Sequence, residues 1–185
     1  MAFSFAAARP TRWMALCLLF AGAVHAQPGA GPVERPSPER KTKAAYLYRF
    51  AAFVEWPAVA FARPDSPLLI GIAGDDALAA LVEQSVAGRS VRGHPLAVQR
   101  LGPGADAREL HILYVTGLDA PPLLAQARGR PILTVCDMPD EPLAQADGCV
   151  VDFVQVGEHL RFHVAREEAA TAKLRISARL LAVAP

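Results

Sequence analysis

The residues of this chain that could do chemistry are acids at turns, two histidines on one strand, and cysteines. Asp75 and Asp76, Asp119, and Asp137 each come after a short apolar run. In an open parallel sheet such turns share the carboxyl edge, where ligands bind, so a metal or acid–base role is conceivable. The same residues at the same places also cap helices and close turns, and no nucleophile or general base stands out beside them. Capping is the favoured reading. His159 and His163 invite a metal reading through their spacing. On a strand, however, they share a face with Arg161, and a cation between them opposes a metal ion. An exposed polar face is the simpler reading, with recognition of an anion or an acidic partner as the alternative. Arg49, on a nearly apolar segment, either snorkels to the surface, pairs with an acid such as Glu55, or meets a ligand.

Standard catalytic motifs are missing. Gly71-Ile-Ala-Gly74 lacks the three-glycine spacing of a dinucleotide fingerprint, and there is no Walker loop, Gly-x-Ser-x-Gly or His-Glu-x-x-His. The acidic pair Asp75-Asp76 does not make a response-regulator receiver, because the strand His111–Val115 ends in Thr116-Gly117 where a phosphoacceptor Asp is needed. No cofactor and no metal is expected.

Residues 1–26 read as a secretory signal peptide, with Arg9 and Arg12 before the uncharged stretch Trp13–Val24 and cleavage after Ala26. Cys17 lies inside that stretch behind Leu16, which argues against a lipoprotein anchor. Processing removes two arginines and leaves 17 basic residues against 18 acidic, a formal charge of −1. That balance gives no case for nucleic acid. The processed chain is expected to be soluble and exported. It keeps Cys136 and Cys149, and in an oxidising compartment this even count points to one disulfide, the alternative being two separate buried thiols. Such a bridge would stabilise the fold by about 3 kcal/mol.

The elements that must hold these residues begin with Lys41–Pro57. Ser37 can cap a helix there, Pro38 suits its first position, Glu39 its first turn, and Pro57 ends it, so the helix should run to about Glu55. Between Ala44 and Trp56 only Arg49 and Glu55 are charged, which predicts a helix wrapped by other elements. The run is shorter than the roughly 18 residues a membrane span needs. Residues 27–37 form a Pro/Gly-rich leader, and 38–185 a single domain. Leu68–Ala73 is a fully apolar run of the kind buried on both faces of a sheet, and His111–Val115 and Pro131–Cys136 read as two more strands of that buried type. Helices are predicted over 77–86, 121–127, 166–173 and 178–183, with a helical turn over 105–109. Val91–Arg100 reads as a glycine-broken strand, 137–147 as a polar segment with room for a short helix, and 149–164 as a hairpin turning at Gly157-Glu158. Together they predict a three-layer α/β/α sandwich, with a mostly parallel central sheet and an antiparallel C-terminal hairpin.

From about Thr42 to Ala184 the chain resembles the YfiR/HmsC-like family of periplasmic regulators. The marks are Lys43–Pro57, Val91–Leu96, His111–Tyr114, Ile132–Val135, the Gly148 region, Leu160-Arg161-Phe162 and Leu174–Ala184, in that order and spacing. The resemblance implies a non-catalytic, often dimeric periplasmic protein. Such a protein holds an inner-membrane diguanylate cyclase in check by binding its periplasmic part, and so controls cyclic di-GMP and biofilm formation. An outer-membrane lipoprotein, or reduction of disulfides, can relieve the inhibition, and some members act beside sensor kinases. Interfaces favour aromatic and arginine anchors, which places the partner or ligand surface on Arg161, Phe162 and His163, on Arg175 and Ser177, and on Trp56. The chain departs from the family in reading Phe162-His163-Val164-Ala165 where members carry Phe-Glu-Ile-Asn, and in having cysteines for only one bridge. A small-molecule sensor or carrier is the second reading, and an exported hydrolase the third.

Overall fold

A computed structural model describes residues 36–138 and 148–182. The predicted signal peptide, nearly all of the leader, and the polar segment after Met138 lie outside these residues. Helix α1 (Pro38–Phe53) starts where its sequence says, with the Ser37 side chain accepting from the Arg40 N–H at 3.2 Å. Its buried residues are Lys43, Ala44, Leu47, Phe50 and Ala51, one stripe at helical spacing. The expectation of a helix wrapped on nearly all sides is therefore corrected: Ala45 and Arg49 face solvent. The helix also stops two residues early. Val54–Glu55 form strand β1, antiparallel to β9 (Arg175–Ile176), a pairing that local sequence does not announce.

The main sheet has seven strands, adding β2 (Leu68–Ala73), β3 (Ser90–Val91), β4 (His94–Leu101), β5 (Ile112–Val115), β6 (Leu133–Cys136), β7 (Val151–Val156) and β8 (His159–Val164). Their order is β3-β4-β2-β5-β6-β7-β8. The strands from β4 through β7 are parallel, and β3 and β8 pair antiparallel at the edges. The predicted broken strand over 91–100 is instead a tight hairpin, turning at Arg92 (φ 51°) and Gly93 (φ 88°), the left-handed pair that two-residue hairpins use.

From β2 the chain passes through α2 (Asp76–Val86) to β4 on one side, and later to β5 on the other. That reversal makes the carboxyl ends of β2 and β5 a topological switch point. Right-handed crossovers in opposite directions put their helices on opposite faces. Accordingly α1 and α2 pack on one face around Phe50, Ile70, Val82, Tyr114 and Phe162, whereas α3 (Ala120–Ala127) covers Val115, Leu113 and Cys136 on the other. The sandwich with its mostly parallel sheet stands as predicted. Two short helices, α4 (Arg166–Thr171) and α5 (Ala178–Leu181), complete the fold, the latter capped by Ser177. The predicted turn of helix at 105–109 is a pair of non-helical turns, and Asp106 satisfies the Arg108 N–H at 2.9 Å there. No helix of the described residues is long and apolar enough to cross a membrane.

Candidate functional site

The two ends of the parallel strands are built differently. At the carboxyl edge, Asp75 accepts from the Leu78 N–H (2.9 Å) as the cap of α2, and also pairs with Arg40 at 2.9 Å. Asp137, just past β6, accepts from the Lys43 ammonium at 2.6 Å and from the Tyr114 hydroxyl at 2.5 Å. Lys43 also reaches Glu39 one turn back on α1. Burial alone would lower the Lys43 ammonium, but its hydrogen bonds to Asp137 and Glu39 outweigh it and hold the pKa above its ordinary value. Burial, with Asp137 beside it, drives the Tyr114 phenol well above its usual range. Thr116 donates to the Asp137 carbonyl at 2.7 Å. Gly74 (φ 86°) is required here, because a Cβ would sit 2.4 Å from the Thr116 carbonyl. The first turns of α1 thus fill the switch point with two cations; Asp75 caps α2, the reading the sequence favoured, and both Asp75 and Asp137 are also structural ion-pair partners, which it did not foresee.

The amino edge is held mainly by neutral hydrogen bonds, with one exposed ion pair, and is left open. The Trp56 indole N–H donates to the His111 carbonyl at 3.1 Å, and the Val54 carbonyl accepts from Arg92, which also pairs with Glu55 at 3.1 Å. His111 is buried, its Nδ1 accepting from the Leu69 N–H at 3.1 Å, and desolvation lowers its pKa to about 4. With Nδ1 accepting, the neutral ring carries its proton on Nε2, which has the Ala60 backbone near it but no well-aligned hydrogen-bond partner among the described residues. Phe61 stacks between His94 (3.7 Å between centroids) and His111 (4.4 Å). Beside this column lies a cleft of about 300 Å³. Pro57, Val59, Leu110 and Ile132 give it apolar walls, and Arg108, Arg130 and Lys173 give it three cations against the single acid Glu109. Val59 is 82% exposed, an uncovered apolar side chain at the rim.

The residues expected on a recognition surface do not form one patch. Trp56 and Arg175 are neighbours, since Glu55 pairs with Arg175 across β1 and β9. Trp56 is half-buried against the core and anchored by its hydrogen bond, which settles its orientation. Ser177 is not free for a partner: its hydroxyl caps α5 at Leu180, and its N–H donates to the Phe53 carbonyl. Phe162 is corrected outright. It is fully buried, with its ring 5.1 Å from Tyr46 and 5.3 Å from Phe50, because β8 turns its even-numbered residues toward α1. Arg161 and His163 are exposed on the opposite face, as the alternation predicts, and so is His159. The hairpin continues four residues beyond Asp152, which is level with the end of β6, so its tip stands roughly 13 Å past the carboxyl edge. Arg161 and Trp56 therefore belong to different ends of the molecule. Arg49 is exposed, consistent with snorkelling.

Lys43, Tyr114, His111, Arg92 and Val59 were not picked out from sequence. Only their place within the family-like stretches marked the first four; Lys43 meets Asp137 across 94 residues.

The predicted disulfide is present: Cys136 and Cys149 are bonded, with their Cα atoms 5.9 Å apart. No curated protein matches the chain. A family model described as YfiR/HmsC-like matches residues 40–185, covering nearly all of the compact unit that begins at Arg35. The chain belongs to the YfiR/HmsC-like family.

Proposed function

We propose that this is an exported, non-catalytic regulatory protein of the periplasm, processed after Ala26. It binds the periplasmic part of an inner-membrane signalling enzyme, a diguanylate cyclase above all, and restrains it. The observation that carries this reading is the family match over residues 40–185, because the family is known for periplasmic regulators of such cyclases. The internal pairing of Asp75 and Asp137 is consistent with a binding role, since neither carboxylate is left poised for substrate. Homodimer formation and relief by an outer-membrane lipoprotein belong to the same proposal. Two surfaces suit a partner: the hairpin face bearing His159, Arg161 and His163, and the rim at Trp56, Val59 and Arg175. Deletion of the gene in its host should raise cyclic di-GMP and surface adhesion; unchanged levels of both would sink the cyclase reading.

The amino-edge cleft favours a second reading, a sensor of small molecules acting with a sensor kinase. Its volume is at the lower end for ligand sites, and its apolar walls with Arg130 and Lys173 suit an anion with an apolar body. Thermal-shift measurements against amino acids, vitamins and nucleotides test it, and a flat response would count against it.

A further inference from the structure

One row across the sheet brings together a sulfur, a carboxyl and an imidazole. Cys136 on β6 is the register partner of Asp152 on β7, and Asp152 is the register partner of His163 on β8. All three point to the face away from α1 and α2. Both sulfurs of the Cys136–Cys149 bridge and a carboxylate oxygen of Asp152 lie within 4.8 Å of one another. Asp152 is only 8% exposed, and among the described residues no hydrogen bond or ion pair reaches it. Its oxygens are not wholly sealed from solvent, but a carboxyl so largely covered and without a protein donor is uncommon.

Among the described residues, the groups that face it are few. β6 contributes Cys136 and, one step back on the same face, the uncharged Thr134; the segment before β7 contributes Cys149; β8 contributes His163, with Arg161 further along the same exposed face. Burial alone displaces the Asp152 carboxyl, pushing it up to about 6, so none of these groups compensates its charge. The disulfide offers it no proton. A thiol would, because an S–H is a donor.

We propose that Asp152 is the proton partner of the Cys136–Cys149 couple, so that bridge and carboxyl change state together, with His163 at the solvent side of the row. When a small thiolate attacks Cys149 Sγ, the S–S bond breaks and its electron pair passes to Cys136 Sγ, which takes the Asp152 proton. A second thiolate then attacks the sulfur of the reagent, releasing the reagent's own disulfide, and Cys149 Sγ takes a proton from solvent. The bridge gains two electrons, two reagent thiols are oxidised, and the protein is left with two thiols and one carboxylate. That carboxylate now accepts from Cys136 S–H. Counted from two neutral reagent thiols, which lose two protons in becoming thiolates, the net reaction releases one proton in the pH range where Asp152 is neutral beside the disulfide and ionised beside the thiols. This coupling is a property of the chain alone and needs no signalling partner.

Carbon-13 NMR of the Asp152 carboxyl in the processed protein reads the coupling directly. Its titration midpoint should lie near 6 with the bridge closed. It should fall by about one unit or more once reduction supplies a donor. Equal midpoints in the two forms would overturn the proposal. Equilibration with dithiothreitol gives a second reading. Between pH 4 and 6 the wild-type balance should move toward dithiol as pH rises, by up to about tenfold per unit, and then level off. In Asp152→Asn it should stay flat over the same range, and parallel behaviour of the two proteins would also refute the coupling.

Discussion

At the carboxyl edge of the sheet, Asp75 and Asp137 are each held by a cation from the first turns of α1, whereas at the amino edge Trp56 and His111 are joined by neutral hydrogen bonds beside an open cleft. Folds of this kind place ligands at the carboxyl edge, at the switch point between β2 and β5. Here the chain supplies its own occupant. The difference shows that topology alone does not locate a functional surface; one has to ask which polar groups the fold has already satisfied.

The largest effect that would break this comparison is at Asp137. Asp137→Ala leaves the buried Lys43 ammonium with Glu39 alone and the Tyr114 hydroxyl without its acceptor. It should cost about 3 kcal/mol in urea unfolding. A loss under 1 kcal/mol would mean that the carboxyl edge is not held shut by these bonds. Next comes the amino edge under acid. The ordinary His111 pKa is 6.5, and in the folded protein it is lowered to about 4 by burial. As pH falls through this window the unfolded chain takes up the proton first. The stability present above 6.5 should therefore fall by roughly 2–3 kcal/mol by pH 4. His111→Gln should flatten that part of the curve, and an unaltered slope would assign the acid sensitivity elsewhere. The smallest effect on stability is expected at Val59. Val59→Ser removes an exposed side chain and should change unfolding by no more than about 0.5 kcal/mol. Co-purification with the membrane partner should nonetheless weaken, if the rim is a recognition surface. Full retention of the partner would move the interface to the Arg161–His163 hairpin.

What could be read from the sequence was local. Ser37 and Ser177 are recognisable as caps because each precedes its helix by one residue, the cap of α2 is narrowed to Asp75 or Asp76, and the three buried strands are visible as largely apolar runs. The disulfide followed from two cysteines and the expected compartment. What stayed hidden was long-range. The end of α1 could not be placed because Val54–Glu55 are drawn into β1 by Arg175–Ile176 near the other end of the domain. Lys43 has no role legible in the sequence, since nothing near it hints at Asp137. Phe162 was misjudged for a different reason. The alternation of β8 was read correctly, with His159, Arg161 and His163 on one face, but Phe162 was kept beside them as an anchor although it belongs to the other.

Trp56 has an optical consequence as well. It is the sole tryptophan of the folded unit, since the other in the chain is Trp13. Its indole sits edge-on to the His111 ring, 6.3 Å between centroids, at the corner where β1 meets β5. Emission from a chain lacking residues 1–26 is therefore a single-site signal from the amino edge. Events at the cleft should shift its wavelength or quench it, while changes at the distant hairpin should leave it dark to observation. The molecule carries its own reporter for telling its two candidate surfaces apart.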